Sequence, residues 1–213
     1  MTVSSPATPL EEQQHIVLHD VSWEFYEQLL KELENRPIQV TFDNGSLEIM
    51  APLHIHEVWK KRIGGLVEVM CEELDLDIEP SGSTTFRRRD AVKGLEPDEC
   101  YYVNNAGLIR GKRELDLTRD PPPDLAIEIE ITRRSIPKQP VYAGLGIPEL
   151  WRFNGKRLTI LILKTGKYGV TANSLAFPFL PIVEFQQFVL RLETERRPRV
   201  LRDFRKWLRS LDR

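Results

Sequence analysis

Cysteine is nearly missing from this chain, and the two that occur, Cys71 and Cys100, have no further cysteine or histidine at ligand spacing beside them. That excludes a disulfide framework and a thiolate zinc site, and predicts two small buried apolar residues in a reducing compartment. No apolar run approaches the roughly 20 residues that cross a bilayer. The N-terminal MTVSSPATPLEEQQH lacks the basic-then-apolar order of a secretory signal. A cytoplasmic protein with no membrane partner is the expectation. There is no Gly-rich phosphate loop, no serine nucleophile elbow and no Cys–His arrangement, which sets aside P-loop, serine-hydrolase and cysteine-protease chemistry. Charge of either sign is not in excess: 30 Lys and Arg against 32 Asp and Glu give a net charge of -2, so a polyanion would have to be met by local patches.

What is present centres on residues 121–132, PPPDLAIEIEIT. After the prolines, which cannot donate to a ladder, the pattern alternates with period two. Asp124, Ala126, Glu128 and Glu130 fall on one side, and Leu125, Ile127, Ile129 and Ile131 on the other, which predicts a β-strand. Carboxylates spaced two apart repel one another and are poor strand formers. Two readings fit: a half-exposed strand with an acidic outer face, or a row of hard oxygen ligands for a divalent cation.

Around this strand, 213 residues with 41% hydrophobic content suit a single domain over 16–213 after a flexible tail at 1–15. Ser22 caps a helix that runs to Asn35, and IQVTFDNGSLEIM reads as a hairpin turning at Asp-Asn-Gly. A long helix from Leu53 to Leu74 carries an apolar stripe that includes Trp59, Ile63, Leu66 and Met70, weakened at Gly64 and Gly65 unless another element packs closely there. Short strands follow at 76–79 and 84–88, then a loop through Gly94 and Pro97, then a strand at Glu99–Val103. Residues 104–123 read as turns. A short helix is predicted over 136–145, three strands at ELWRFN, RLTILIL and KYGVTA, a helix or strand at 183–192, and a last amphipathic helix rich in arginine. The order suggests α+β, or α/β with a mixed sheet.

A second acidic element is Leu-Glu-Pro-Asp at 95–98. If the strand beginning at Glu99 pairs antiparallel with the acidic strand, Asp98 approaches Glu128 and Glu130. Two or three carboxylates from adjacent strands suit magnesium, which keeps other positions for water and substrate phosphate; the plain alternative is that Asp98 makes a turn. Lys138, ten residues past Glu128, would orient the attacking water and offset negative charge, with Tyr142 and Arg134 on the same helical side; the plain alternative is a surface lysine. Basic clusters lie nearby at Arg87, Arg88 and Arg89, at Arg110, Lys112 and Arg113, and at Arg133 and Arg134, with more on the last helix. Each alone would be an ordinary solvated patch. His54 and His56 are two apart and share no helical face, which argues against a zinc pair. His56 or Glu57 would project toward the site from the long helix, or Glu57 would pair with Lys61; His15 and His19 look incidental.

These residues resemble a large bacterial family of restriction-endonuclease-like proteins, a Uma-type domain within the PD-(D/E)XK nuclease superfamily. The matching text is DNGSLEIMAPL, GSTTFRRRDAVKGLEPDECYYV, PPPDLAIEIEITRRS and KQPVYAGLGIPELWRF, in order over most of residues 40–155. The resemblance implies a restriction-endonuclease-like α/β core, a mixed central sheet flanked by helices. It makes Asp98 the motif aspartate and Glu128 the motif glutamate. The superfamily's lysine would fall at Glu130, and family members often carry it on the next helix in a Lys-x-x-x-Tyr pattern, which Lys138 and Tyr142 match. Homodimers are common among such nucleases, and the stripe of the last helix would serve either that interface or the chain's own core.

The expectation is therefore a Mg2+- or Mn2+-dependent endonuclease acting on DNA. Asp98 and Glu128 would bind the cation, Glu130 or Asp124 would assist, Lys138 would place the water, and Arg87, Arg88, Arg89, Arg133 and Arg134 would contact the nucleic acid. The alternative is a catalytically inactive nuclease-like fold that binds DNA or a protein.

Overall fold

The computed structural model describes residues 15–34, 36–131 and 135–211. The predicted tail therefore lies outside the described residues up to residue 14. His15 does not belong to a tail: His15–Leu18 form strand β1, which pairs antiparallel with a strand some thirty residues later. Its HIVL sequence has no alternation, because the partner that makes it a strand is distant. Helix α1 (Trp23–Glu32) is capped as expected, the Ser22 hydroxyl accepting from the Phe25 N–H at 3.1 Å.

The hairpin is β2 (Gln39–Asp43) and β3 (Ser46–Met50), turning through Asn44 and Gly45, both with positive φ (47° and 85°), the conformation a two-residue turn demands. Helix α2 (His54–Leu74) follows. The expected strand at 76–79 shrinks to β4 (Glu79–Pro80), and the one at 84–88 to β5 (Phe86–Arg88). The loop predicted through Gly94 is instead strand β6 (Lys93–Leu95), which pairs with β5 and β2. Glycine hides the strand in the sequence but is needed there: a Cβ on Gly94 would sit 2.1 Å from the Tyr26 hydroxyl.

Strand β7 (Glu99–Tyr102) leads into α3 (Ala106–Ile109), a single turn of helix inside the stretch read as turns. Then come β8 (Leu125–Ile129), α4 (Lys138–Leu145), β9 (Glu149–Phe153), β10 (Leu158–Lys164) and β11 (Lys167–Thr171). The ambiguous segment after Ile182 is helix α5 (Ile182–Thr194), followed by α6 (Arg197–Leu208).

Two sheets result. One is antiparallel, in the order β1-β3-β2-β6-β5; the other is mixed, in the order β11-β10-β9-β8-β7-β4, with β8 and β9 its parallel pair. A parallel pair needs a crossover, and α4 supplies it. This is the mixed-sheet α/β architecture expected, with a second sheet the sequence reading did not separate.

β8 is interior, not a half-exposed edge, and all five of its residues are buried. One face, Leu125, Ile127 and Ile129, packs with Trp59, Ile63, Leu66 and Met70 of α2, Phe185 of α5 and Phe204 of α6. Each such side chain contributes about 1.5–3 kcal/mol on leaving water. Gly64 and Gly65 are the expected close approaches: added Cβ atoms would lie 2.8 Å from the Tyr101 hydroxyl and 2.6 Å from the Arg197 guanidinium. The stripe of α6, Val200, Phe204 and Leu208, is buried in this chain's own core. Its arginines meet acids of the same chain, Arg205 with Glu72 and Glu73 and Arg199 with Glu195. No helix among the described residues is long and apolar enough to cross a membrane.

Candidate active site

The second face of β8 carries Ala126 and Glu128, and α4 lies over it with Val141, Tyr142 and Leu145. β7 runs antiparallel to β8 with Glu99 opposite Ile127. Asp98 immediately precedes β7 and Glu128 immediately follows Ile127, so continuing the register sets the two carboxylates at facing positions, where Cβ atoms typically lie about 4.5–5.5 Å apart.

Glu128 is fully buried. Its Oε1 accepts from Lys138 Nζ at 2.7 Å and its Oε2 from the Tyr142 hydroxyl at 2.6 Å. The Lys-x-x-x-Tyr spacing puts both donors on one face of α4, one turn apart. Asp98, 2% exposed, accepts from the Ile129 N–H at 2.7 Å through Oδ2 and from Gln39 Nε2 at 2.8 Å through Oδ1. Charges this deeply buried need compensating partners: both carboxylates are hydrogen-bonded, and Glu128 is also ion-paired with Lys138.

Gln39 introduces a feature that sequence reasoning missed. Val40, Phe42 and Leu47 pack on α1 in a cluster with Trp23 and Tyr26. By strand alternation Gln39, Thr41 and Glu48 face the other way. Such a face would ordinarily be solvated, yet all three are buried, because it is turned toward α4, the segment before it and the Asp98 carboxylate. Glu48 Oε1 accepts from the Ser135 N–H at 3.0 Å, and its Oε2, like Gln39 Oε1, is buried with no hydrogen-bond partner among the described residues. An acid inside SLEIM was the available signal. His15 and His19 belong to the same region, His15 Nε2 lying 3.0 Å from the Ser135 hydroxyl and His19 Nδ1 3.2 Å from that of Ser46.

The other candidates are distributed as follows. Asp124 sits four residues before Glu128, roughly 13 Å along the strand. Both of its oxygens hold the chain after β7: Oδ2 accepts from the Val103 and Asn105 N–H groups, and Oδ1 from the Asn105 amide. It is a loop anchor and is not brought to the site, which corrects its assignment as an assisting ligand. Glu130 is on the Glu128 side of the strand, but its carboxylate is ion-paired with Arg152 at the mouth of a cleft. His56 is buried at the start of α2. Glu57 pairs with Lys60 at 3.5 Å, not with Lys61. Arg89 pairs with Glu24 and lies 3.9 Å from Glu27, Arg88 pairs with Asp90 at 2.5 Å, and Arg110 pairs with Asp77. Arg87 and Arg89 line a groove of about 1130 Å³ with Lys112 and Arg113, among acidic residues. Arg133 and Arg134 lie outside the described residues.

Two clefts adjoin the site, one at Lys138 and one at Gln39. One, about 670 Å³, is lined by Lys138, Glu130, Arg152, Lys167 and Tyr168, together with prolines of α4 and the residue before it. The other, about 480 Å³, is lined by Gln39, Glu57, Lys60, Thr85 and Glu96. Burial pushes the Glu96 carboxyl above its ordinary range, against the pull of a hydrogen bond from Thr85 and of the Lys138 charge.

No group of three or more His, Cys, Asp or Glu suited to a metal occurs among the described residues. Two carboxylates, Asp98 and Glu128, are a donor set unlike the cysteine and histidine ligands of a closed zinc site. Such a set does suit magnesium or manganese, which can be held by two hard carboxylates with water and substrate oxygens completing the shell. Asp98 and Glu128 are such a pair of buried carboxylates. The buried, partnerless Gln39 Oε1 is a further oxygen beside them.

A family model described as Uma2, putative restriction endonuclease, matches residues 23–193. No curated protein matches the chain.

Proposed function

The chain belongs to the Uma2 family of putative restriction endonucleases, and from that premise we propose that it is a Mg2+- or Mn2+-dependent endonuclease hydrolysing DNA phosphodiester bonds. The observation that carries the reading is the convergence of Asp98 from just before β7, Glu128 from β8 and Lys138 from α4 as buried charged residues.

Asp98 and Glu128 would hold the cation, which when bound supplies Lewis acidity toward a phosphoryl oxygen. The protein's part is orientation. Gln39 and the Ile129 N–H fix the plane of the Asp98 carboxylate, and Tyr142 and Lys138 fix that of Glu128. Lys138 also lines the 670 Å³ cleft, and on this reading its ammonium would orient an attacking water and balance charge on a phosphodiester entering there. Arg152 and Lys167 on the same walls favour an anion.

The test is nicking of supercoiled plasmid by purified protein with Mg2+ or Mn2+. Wild type should nick, and Asp98→Ala and Lys138→Ala should not; equal activity in Asp98→Ala overturns the reading.

One observation favours the second reading, an inactive fold that binds DNA or a protein. Glu130 stands where the resemblance to the superfamily places a lysine, and it is tied to Arg152. On that reading wild type binds DNA in a salt-dependent way with no cation present and cleaves nothing under any divalent ion.

A further inference from the structure

We propose that Gln39 is a positioning residue of the cation site, orienting Asp98 through Nε2 and receiving a hydrogen bond from a water of the ion's hydration shell through Oε1. This rests on the nuclease reading above and names a residue outside its motif.

Four observations carry it. Gln39 is 6% exposed, so its amide must be satisfied within the protein or by something bound there. Nε2 donates to Asp98 Oδ1 at 2.8 Å, while Asp98 Oδ2 is held from the other sheet by the Ile129 N–H, so the carboxylate is clamped from two sides. Oε1 is buried and no described residue donates to it. Finally, Gln39 lines the 480 Å³ cleft with Lys60, Thr85 and Glu96, so a route from solvent leads to it.

The amide cannot be turned over to remove the difficulty. Exchanging its ends would set a carbonyl oxygen against the Asp98 carboxylate, so the donor end is fixed where it is and the acceptor end is left over. What is missing is a donor, one side chain away from a carboxylate proposed to hold a cation. Water on a small divalent cation is such a donor, since magnesium sheds its waters reluctantly and is typically held partly through them. Groups that orient metal ligands from outside the ligand shell typically contribute about 10- to 100-fold to affinity.

The test is Mn2+ binding by the full chain, read from the electron paramagnetic resonance of free Mn2+, with thermal melts in parallel. Wild type should bind and Asp98→Asn should not. Gln39→Met, linear like glutamine but with neither amide group, should bind about 10- to 100-fold more weakly. Gln39→Glu keeps an acceptor but sets a second carboxylate against Asp98. It should melt lower than wild type without metal and gain more in melting temperature from added Mn2+. Wild-type affinity in Gln39→Met, with binding lost in Asp98→Asn, overturns the inference and leaves the cation site standing. A lower melt in both Gln39 variants with no change in their response to Mn2+ shows a merely structural glutamine and also overturns it. Absence of Mn2+ binding by wild type overturns the cation reading and this inference with it.

Discussion

Lys138 Nζ stands 2.7 Å from Glu128 Oε1, with 3% of one side chain and none of the other exposed. Removing one member of such a pair leaves an uncompensated buried charge, which typically costs about 3–5 kcal/mol. Lys138→Met should therefore lower stability by about that amount in guanidinium unfolding. Replacing both partners, as Lys138→Met with Glu128→Leu, should recover much of the loss, because the desolvation penalty disappears along with the pair. Both variants should be inactive in the plasmid assay. A stable single variant and a less stable double one would contradict the reasoning.

Tyr142 gives the second bond to the same carboxylate, at 2.6 Å. Tyr142→Phe keeps the ring buried and removes only the hydroxyl. Hydrogen bonds to charged groups are worth about 1.5–3 kcal/mol, and a loss in that range is expected. A cycle with Lys138→Met should show coupling of at least about 0.5 kcal/mol, since both donors serve one acceptor group. Additive losses would mean that the two donors hold Glu128 independently.

Two glycines should respond to alanine with opposite signs. At Gly94 a Cβ would meet Tyr26 ring atoms at 2.7 and 2.9 Å as well as the hydroxyl, and Tyr26 is fully buried against Phe42. Gly94→Ala should cost at least about 1–3 kcal/mol, as overpacking does. At Gly107, in the one-turn helix α3, nothing lies within 4 Å. Gly107→Ala should gain about 0.4–1 kcal/mol by restricting the unfolded chain. Thermal melts of the two variants decide it.

Both cysteines are buried and free. Burial, with Glu68 nearby, pushes the Cys71 thiol up to about 12, and burial also raises that of Cys100. Thiolate is the reactive form, so the native protein should resist a thiol reagent at pH 8 and react at both positions once denatured. Rapid native labelling would show that one of these packing regions opens.

The β8 strand, its partner β7 and the helix bearing Lys138 were legible because each writes a local period: alternation over Leu125–Ile129, and Lys-x-x-x-Tyr on α4. The approach of Asp98 to Glu128 rested on a condition, antiparallel pairing of the two strands, and the structure meets it. What stayed hidden depends on contacts between segments distant in sequence. β1 and β6 are strands only because β3 and β2 pair with them, and β6 contains a glycine that argues locally against it. Gln39 and Glu48 were not picked out, since no local signal says that α4 and the Asp98 carboxylate cover that side of the hairpin. Asp124 shared the alternation of Glu128 but is taken up by the chain near Val103. Period reports which side of a strand a residue is on, and not what lies there.

The antiparallel partners β7 and β8 are joined by a long connection whose residues 110–114 are all exposed. A cut in that run would leave Gln39 and Asp98 on one fragment and Glu128, Lys138 and Tyr142 on the other. Neither piece would carry a complete set of ligands, and rejoining them would require β7 to pair again with β8, α2 to repack on β8, α5 and α6, and α4 to repack on the first sheet. The molecule is in this sense already divided into two complementary halves, and fusing each half to one member of an interacting pair would make nicking a reporter of their meeting.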